Sequence, residues 1–571
     1  MKSDLGRTIR QAIRESARFA RLRLLRLNLL ARTGAHQPFA GFVRPGGADW
    51  RRAVAAASRG KRVVIATNTG GHFGLAAIDR LLAVALTLRG AAVTTILCDG
   101  VLPACQMCEI GLVPDRGAFV ADGPPSLLCG YCHGPAAREW AALGLAAETI
   151  GAYISADDRA NVEKVASSLP SSELASFVYH DLPLGEQALA GTLRFVARGT
   201  LDGEVAGEEL LRRYLVASML TALAYERILS ALKPDVVVMH HGIYVPQGVV
   251  SLVAKASGVR VVAWNPAYRK HCFIFSHDTT YHHTLMDEPV DSWRDGPFSD
   301  EQRAEIESYI KSRWFGKNDW VRFHRDPDLT LTADLKTLGL DPDKKTILAL
   351  TNVFWDAQLH YPANAFRNQR DWLVVTISWF AARPDLQLVI RIHPAEISGS
   401  PPSQQRAQDV IAEAFGALPD NVKIVPPESA LSTYALAEHA DAALIYATKM
   451  GVELSSVGLP VIVAGEAWVR NKGFTYDVRS PEDYLATLAR LPFGKPLSPQ
   501  KRDLALRYAH HFFFRRMVPI SFVKSNPGPR RFDIAVDDLD AMKHGADHGL
   551  DVICGGILTG SPFIFDSRAS A

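Results

Sequence analysis

The residues best suited to chemistry cluster at the ends of short apolar runs in the C-terminal half of the chain. The run at 387–392 ends in Arg391, Ile392 and His393, with Pro394 stopping it and Glu396 just beyond. A cation and an imidazole at the carboxyl end of a strand suit a phosphate ester, because both donate charge-assisted hydrogen bonds. Downstream, Tyr446-Ala447-Thr448-Lys449-Met450-Gly451 joins a strand to a helix that carries Glu453, Ser455 and Ser456. Thr448, Lys449 and Gly451 around a helix start make an anion site, and Glu453 could accept from ribose hydroxyls. Helix capping by Thr448 and a favourable first-turn charge on Glu453 account for the same residues without a ligand. Their joint placement at strand ends favours the ligand.

The N-terminal half carries a second set. The turn Thr69-Gly70-Gly71-His72-Phe73-Gly74 follows a β-branched run, and Asp99-Gly100 follows the next one. Gly70 and Gly71 would let backbone amides approach a ligand closely. His72 and Asp99 are the two candidates for a general base there. The alternatives are a tight turn with a surface histidine, and a turn cap by Asp99. Cys105-x-x-Cys108 and Cys129-x-x-Cys132 form two knuckles twenty residues apart, with Cys98 and His133 nearby. Four thiolates at this spacing predict a closed structural zinc site, with an iron–sulfur cluster or reduced thiols as alternatives. Four thiolates leave no open position for catalysis. His240-His241 follow a strand and suit a ligand-lining or a packing role equally.

These residues need strands that end beside them. Residues 62–67 and 92–98 read as strands around a helix at 75–89. Residues 235–240 and 260–264 read as strands around a helix at 245–257, which sets Asn265 at a strand's carboxyl end. Residues 288–343 lack a strand pattern. A second series then places strands at 346–352, 387–392, 422–425, 442–445 and 460–464, with helices at 370–382, 431–439, 449–457 and 481–491. This alternation is the signature of a parallel, doubly wound sheet. The predicted class is α/β: two Rossmann-like domains facing a cleft, the first with a cysteine-rich insertion at 98–133. The expected division is a basic helix and linker at 1–47, a first domain at 48–290 and a helical linker at 291–344. A second domain at 345–500 and a C-terminal helix and tail at 501–571 complete it.

At 571 residues the chain exceeds one ordinary core, which agrees with two domains. An apolar share of 48% against 22% charged excludes a disordered chain, and a net charge of +3 is too small to argue for nucleic acid. No run of eighteen or more uncharged apolar residues predicts a transmembrane helix. The arginine-rich start lacks the apolar core of a secretory signal, and seven cysteines do not make a secreted disulfide framework. A cytoplasmic enzyme is expected. Within 1–32, Arg7, Arg10, Arg14, Arg18 and Arg21 recur at spacings of three and four, with Leu5, Ile9, Ile13 and Leu24 on another face. Such a basic amphipathic helix suits either an anionic surface at the inner face of the cytoplasmic membrane or packing on the protein itself.

Four segments together resemble the capsule polysaccharide biosynthesis family, over roughly residues 61–517. They are Arg269-Lys270-His271-Cys272-Phe273-Ile274-Phe275-Ser276-His277, Thr351-Asn352-Val353-Phe354-Trp355-Asp356, Arg391-Ile392-His393-Pro394-Ala395-Glu396 and Gly465-Glu466-Ala467-Trp468-Val469-Arg470-Asn471-Lys472-Gly473-Phe474. The resemblance implies a GT-B fold and a metal-independent, inverting transfer from a nucleotide-sugar donor to a glycan or lipid-linked acceptor, extending a bacterial surface polysaccharide. His393 and Ser455 or Ser456 match a His-Pro pair and serine motif that contact the nucleotide in relatives using CMP-activated acidic sugars. A CMP-sugar is therefore the expected donor, and a UDP-sugar the alternative. Within this reading Asp356, Arg391, His393, Glu396, Thr448, Lys449, Glu453, Ser455, Ser456 and Lys472 hold the donor, and His72 or Asp99 takes the acceptor proton. The Gly-Gly-His turn is also similar to the acceptor-side loop of the lipid-linked peptidoglycan glycosyltransferase. In GT-B enzymes a C-terminal helix crosses back to the first domain, a role open to residues 501–517. A glycerophosphotransferase, a sugar-nucleotide epimerase and a non-catalytic assembly scaffold remain the alternatives.

Overall fold

The computed structural model describes residues 16–32, 47–315, 318–320, 338–356, 363–526, 532–536 and 538–567. The first half of the basic N-terminal segment, with Leu5 to Arg14, and the linker after it lie outside the described residues. The chain forms two compact units.

The first unit contains residues 1–196, 201–281 and 516–571. Its main sheet contains β1 (Arg62–Asn68), β2 (Ala92–Leu97), β3 (Ala146–Thr149), β4 (Val236–His240), β5 (Arg260–Pro266) and β6 (Cys272–His277). β3, β2, β1, β4 and β5 lie side by side and parallel. β6 and the short strand Val518–Pro519 extend the β5 edge antiparallel. The order reverses between β1 and β4, which is a topological switch point. β1 is β-branched and buried from Val63 onward, as expected of a strand covered on both faces.

Helix Phe73–Leu88 leaves the glycine-rich turn and is buried along nearly its whole length. Helix Gly207–Leu232 is long and apolar enough to cross a membrane by length and composition, and 67% of its apolar window is buried in this unit. It packs beside helices Leu184–Val196, Gln247–Ala256 and Ala156–Ser168, a core role that explains its hydrophobicity.

The second unit contains residues 197–200 and 282–515. Its sheet is wholly parallel: β7 (Lys345–Leu350), β8 (Leu386–Arg391), β9 (Val422–Val425), β10 (Ala440–Ile445), β11 (Val461–Val463) and β12 (Tyr476–Asp477). They are ordered β12-β11-β10-β7-β8-β9, with the switch point between β7 and β10.

Three expectations change. The 98–133 segment is not a separate knuckle module. Its second Cys-x-x-Cys lies inside helix Ser126–Leu143, and Cys108, Tyr131 and Cys132 join the first unit's core. Residues 291–344 are more than a linker, because helix Asp300–Arg313 belongs to the second unit and buries Ile306, Tyr309, Ile310 and Arg313. Helix Pro499–His510 stays with the second unit, and the chain rejoins the first at Arg516. The tail then completes the first unit. Carbonyls near the end of helix His548–Thr559 accept from Lys61 Nζ (Leu558, 2.6 Å) and Arg260 Nη1 (Gly556, 2.9 Å), as cations at a helix C-terminus should.

The glycine-rich turn is held against the cysteine helix. A Cβ on Gly70 would lie 2.2 Å from Ala136 Cβ and 2.8 Å from the Cys132 carbonyl oxygen. One on Gly71 would lie 2.6 Å from Met107 Cε. Protein atoms, rather than a ligand, therefore crowd both glycines, most tightly Gly70. Gly70→Ala is expected to cost about 1–3 kcal/mol by overpacking. Gly130→Ala, in open space on the same helix, should gain about 1 kcal/mol from helix propensity. Equilibrium urea unfolding of the two variants checks the contrast.

Candidate functional sites at the strand ends

In the first unit the loops after β1, β4 and β5 bring polar groups to the switch point. Thr67 Oγ1 (2.8 Å) and Trp264 Nε1 (3.0 Å) both donate to buried Asp79, whose carboxyl burial raises to about 7. Gln106 Nε2 donates to Thr69 Oγ1 at 2.7 Å, and Tyr225 donates to Asn68. These bonds fix the turn leading to His72, which occupies the N-cap position of helix Phe73–Leu88. His240 ends β4 with its ring edge-on to Trp264 (5.2 Å) and hydrogen bonded to the Asn265 side chain. His241 follows at 5.4 Å between ring centres and stacks on Tyr244 at 15°.

His241 and Tyr244 both have left-handed backbones (φ 71° and 66°). For non-glycine residues such conformations cost about 1–3 kcal/mol and cluster at functional loops. Burial pushes His240 down to about 3, with His72 and Arg194 adding to it. Burial and the His240 charge also push His241 well below its usual value. Both rings are thus neutral hydrogen-bonding groups near pH 7.

Asp99, the other candidate base, follows β2. It is exposed at the end of β2, and its Oδ1 accepts from Gly151 N–H at 3.1 Å. That bond pins the ends of β2 and β3, the turn-stabilising role weighed against catalysis.

In the second unit the ends of β7, β8 and β10 are laced together. The His393 N–H donates to Thr351 Oγ1 (3.1 Å), and Asn352 Nδ2 donates to the Ala447 carbonyl (3.1 Å). His393 Nδ1 accepts from Ala395 N–H at 3.1 Å, so the neutral ring carries its proton on Nε2. Thr448 Oγ1 accepts from Met450 N–H at 3.4 Å. His393, Asn352, Thr448 and Lys449 are half-buried. Asp356 is exposed, immediately before residues outside the described set.

Other residues expected to hold the donor are engaged in the protein itself. Arg391 is buried and donates to the carbonyls of Pro426 and Ser429, bracing the loop after β9; burial lowers it to about 10. Lys472 Nζ donates to the carbonyls of Met286 (3.2 Å) and Glu288 (2.7 Å), and burial lowers it to about 8. Glu396 accepts from Ala407 N–H at 3.1 Å, and burial raises it to about 7. Ser456 Oγ donates to the Val452 carbonyl, while Ser455 Oγ is buried without a partner among the described residues.

Glu453 departs furthest from its expected ribose role. Its carboxylate has no exposed surface and meets Lys449 Nζ (2.8 Å), Arg313 Nε (3.1 Å) and the Tyr434 hydroxyl. Arg313 also pairs with Asp319. Arg313 comes from the supposed linker, and nothing local in the sequence announces the pairing. The helix that carries Glu453, Met450–Ser456, has seven residues.

The cysteines approach one another without forming a ligand cage. Cys105 Sγ and Cys108 Sγ are 4.0 Å apart, and Cys132 Sγ accepts from Gly71 N–H at 3.3 Å. All seven cysteines are free. Among the described residues no three His, Cys, Asp or Glu side chains are gathered as metal ligands.

No family model matches the chain, and no curated protein matches it by sequence. Solved structures similar to it include the KpsC beta-Kdo 2,4 transferase of Thermosulfurimonas dismutans, with 14% identity and a TM-score of 0.34, over 54% of this chain and 87% of that one. The calicheamicin glycosyltransferase CalG4 matches at 13% identity and a TM-score of 0.24, over 79% of this chain and 94% of that one. The UDP-GlcNAc 2-epimerase of Neisseria meningitidis matches at 11% identity and 0.26, over 79% and 97%.

The Glu453 network sets a clear expectation. Burial alone would raise this carboxyl, but the Arg313 and Lys449 charges hold it at about 2. A folded value below the ordinary 4.5 means its stabilisation is present above that pH and lost as pH falls through about 2. Glu453→Gln, which leaves Arg313 short of a buried counter-charge, should cost about 3–5 kcal/mol. It should also flatten the acid limb of stability between pH ~4.5 and ~2, measured by denaturant titration.

Proposed function

We propose that the chain is a glycosyltransferase that extends a bacterial surface polysaccharide or glycan from a nucleotide-sugar donor. The observation that carries this reading is a pair of doubly wound units, each with a histidine loop at the strand ends flanking its switch point. The second unit takes the donor, CMP-linked by preference and UDP-linked otherwise. His393, with its proton on Nε2, donates to the departing phosphate, and Thr448 and Lys449 support it. Arg391, Lys472 and Glu453 brace the loops around that site.

The first unit takes the acceptor. His240, Asn265 and His241 hold hydroxyls through neutral hydrogen bonds. His72 accepts the proton of the attacking hydroxyl as its oxygen bonds to the anomeric carbon and the bond to the nucleotide breaks. Asp99 acts on loop shape only, and the reading calls on no catalytic metal.

Slow release of free sugar from a CMP- or UDP-sugar is expected without acceptor, and His393→Ala should reduce it roughly 100-fold or more. Interconversion of the nucleotide sugar without release would instead identify an epimerase, and transfer of glycerophosphate a glycerophosphotransferase. Absence of nucleotide binding in a thermal-shift screen would identify a scaffold. His72→Ala should lower transfer by about 10²–10⁴ while leaving donor hydrolysis in place. Full transfer by that variant would remove His72 from the mechanism.

The cysteines enter as a structural zinc site. The 4.0 Å between Cys105 and Cys108 matches one edge of a tetrathiolate tetrahedron, about 3.8 Å for Zn–S bonds of about 2.3 Å. Cys129 and Cys132 are the other two ligands of this proposal. Elemental analysis of purified protein should find one zinc per chain, lost in Cys105→Ser/Cys108→Ser. A folded, zinc-free protein would end this assignment.

A further inference from the structure

Helix Ala17–Arg32 sits on the first unit with an inverted pattern. Its inward face buries Ala20, Leu24 and Ala31, with Leu27 packed against the core beside them. Polar clasps do much of the anchoring. Asn28 Nδ2 donates to the Leu127 carbonyl at 2.9 Å, and Arg23 donates to the Gly111 carbonyl. Leu24, the residue read from sequence as part of the apolar stripe, is thus the inward one.

The outward face holds five large apolar side chains. Leu22, Leu25 and Leu29, spaced i, i+3 and i+7, form its ridge at 59%, 47% and 62% exposure, with Phe19 at 46% and Leu30 at 40% beside them. A helix that packs one face on a protein ordinarily turns polar residues to water. Here the outward ridge is leucine, and Arg18, Arg21 and Arg26 are exposed among it. The helix contains no acidic residue.

We propose that this helix docks the first unit on an anionic lipid bilayer surface. Leucine and phenylalanine would enter the boundary between headgroups and acyl chains, with the helix lying in the plane of the interface. The arginines reach back along their aliphatic stems to the phosphates and acidic headgroups. An all-basic, acid-free apolar ridge complements such a surface in both charge and polarity. A second copy of the same helix would instead set like charges against each other. Docking requires nothing of the glycosyl-transfer chemistry proposed above.

The test is co-sedimentation of the full chain with vesicles of phosphatidylcholine containing 30% phosphatidylglycerol, and with phosphatidylcholine alone. Binding to the anionic vesicles is expected, falling tenfold or more on the neutral ones and at high salt. Arg18→Gln/Arg21→Gln/Arg26→Gln should reproduce that loss at low salt. Leu22→Glu/Leu25→Glu/Leu29→Glu should abolish binding to both, while the melting temperature and donor hydrolysis stay unchanged because these side chains face outward. Equal sedimentation of wild type and both variants would overturn the proposal. So would absence of vesicle binding, or a concentration-dependent dimer that the leucine variant dissolves. If donor hydrolysis is absent while vesicle binding behaves as described, the transferase reading fails and the docking surface stands.

Discussion

A parallel sheet packed on both faces has one place for polar chemistry, the rim where its strands end. The strands of both units are apolar almost throughout, so a charged or hydrogen-bonding side chain placed mid-strand would lose water without gaining a partner. At the rim, neighbouring loops still need partners for their own backbone groups. In the second unit Thr351 answers the His393 N–H and Asn352 answers the Ala447 carbonyl. In the first, Gln106 and Tyr225 hold the turn that ends in His72. The switch points are where these rims open, because adjacent strands send their chains to opposite sides.

The same need for partners explains why much of the set expected to hold the donor is engaged inside the protein itself. An arginine or lysine near a strand end lies close to loop carbonyls, and those carbonyls compete with any phosphate for it. Arg391 serves Pro426 and Ser429, and Lys472 serves Met286 and Glu288. Glu453 is balanced by Arg313, a residue far away in sequence. His393 differs because its backbone and Nδ1 close a local turn, which orients the ring and places the proton on the opposite nitrogen.

Local pattern was enough to read most of the strands and the rim residues, though not β3, β6 or β12. The β-branched runs before His72, His240 and His393 mark β1, β4 and β8, and their spacing implies two doubly wound sheets. What local pattern cannot carry is pairing across the chain. The Arg313–Glu453 contact, the return of residues 516–571 to the first unit, and the burial of the Cys-x-x-Cys helix all depend on distant partners. Helix Gly207–Leu232 is apolar because it is a core element, a property composition alone does not separate from a membrane span. The glycines before His72 carried a true signal of close approach, but the approaching group is helix Ser126–Leu143.

The first unit's rim differs from the second's in how it is kept ready. Its two central imidazoles, His240 and His241, are neutral because burial and neighbouring positive charge, from His72 and Arg194 on both and from His240 on His241, oppose their charging. A neutral imidazole can both donate to and accept from a hydroxyl, whereas a charged one can only donate. The left-handed turns at His241 and Tyr244 oppose folding unless something holds them, and the stack between those two rings does part of that. Strain held by packing before any ligand arrives keeps the ring positions from being lost to conformational freedom. A loop organised this way suits an uncharged, hydroxyl-rich partner, which supports the proposal that this unit takes the acceptor.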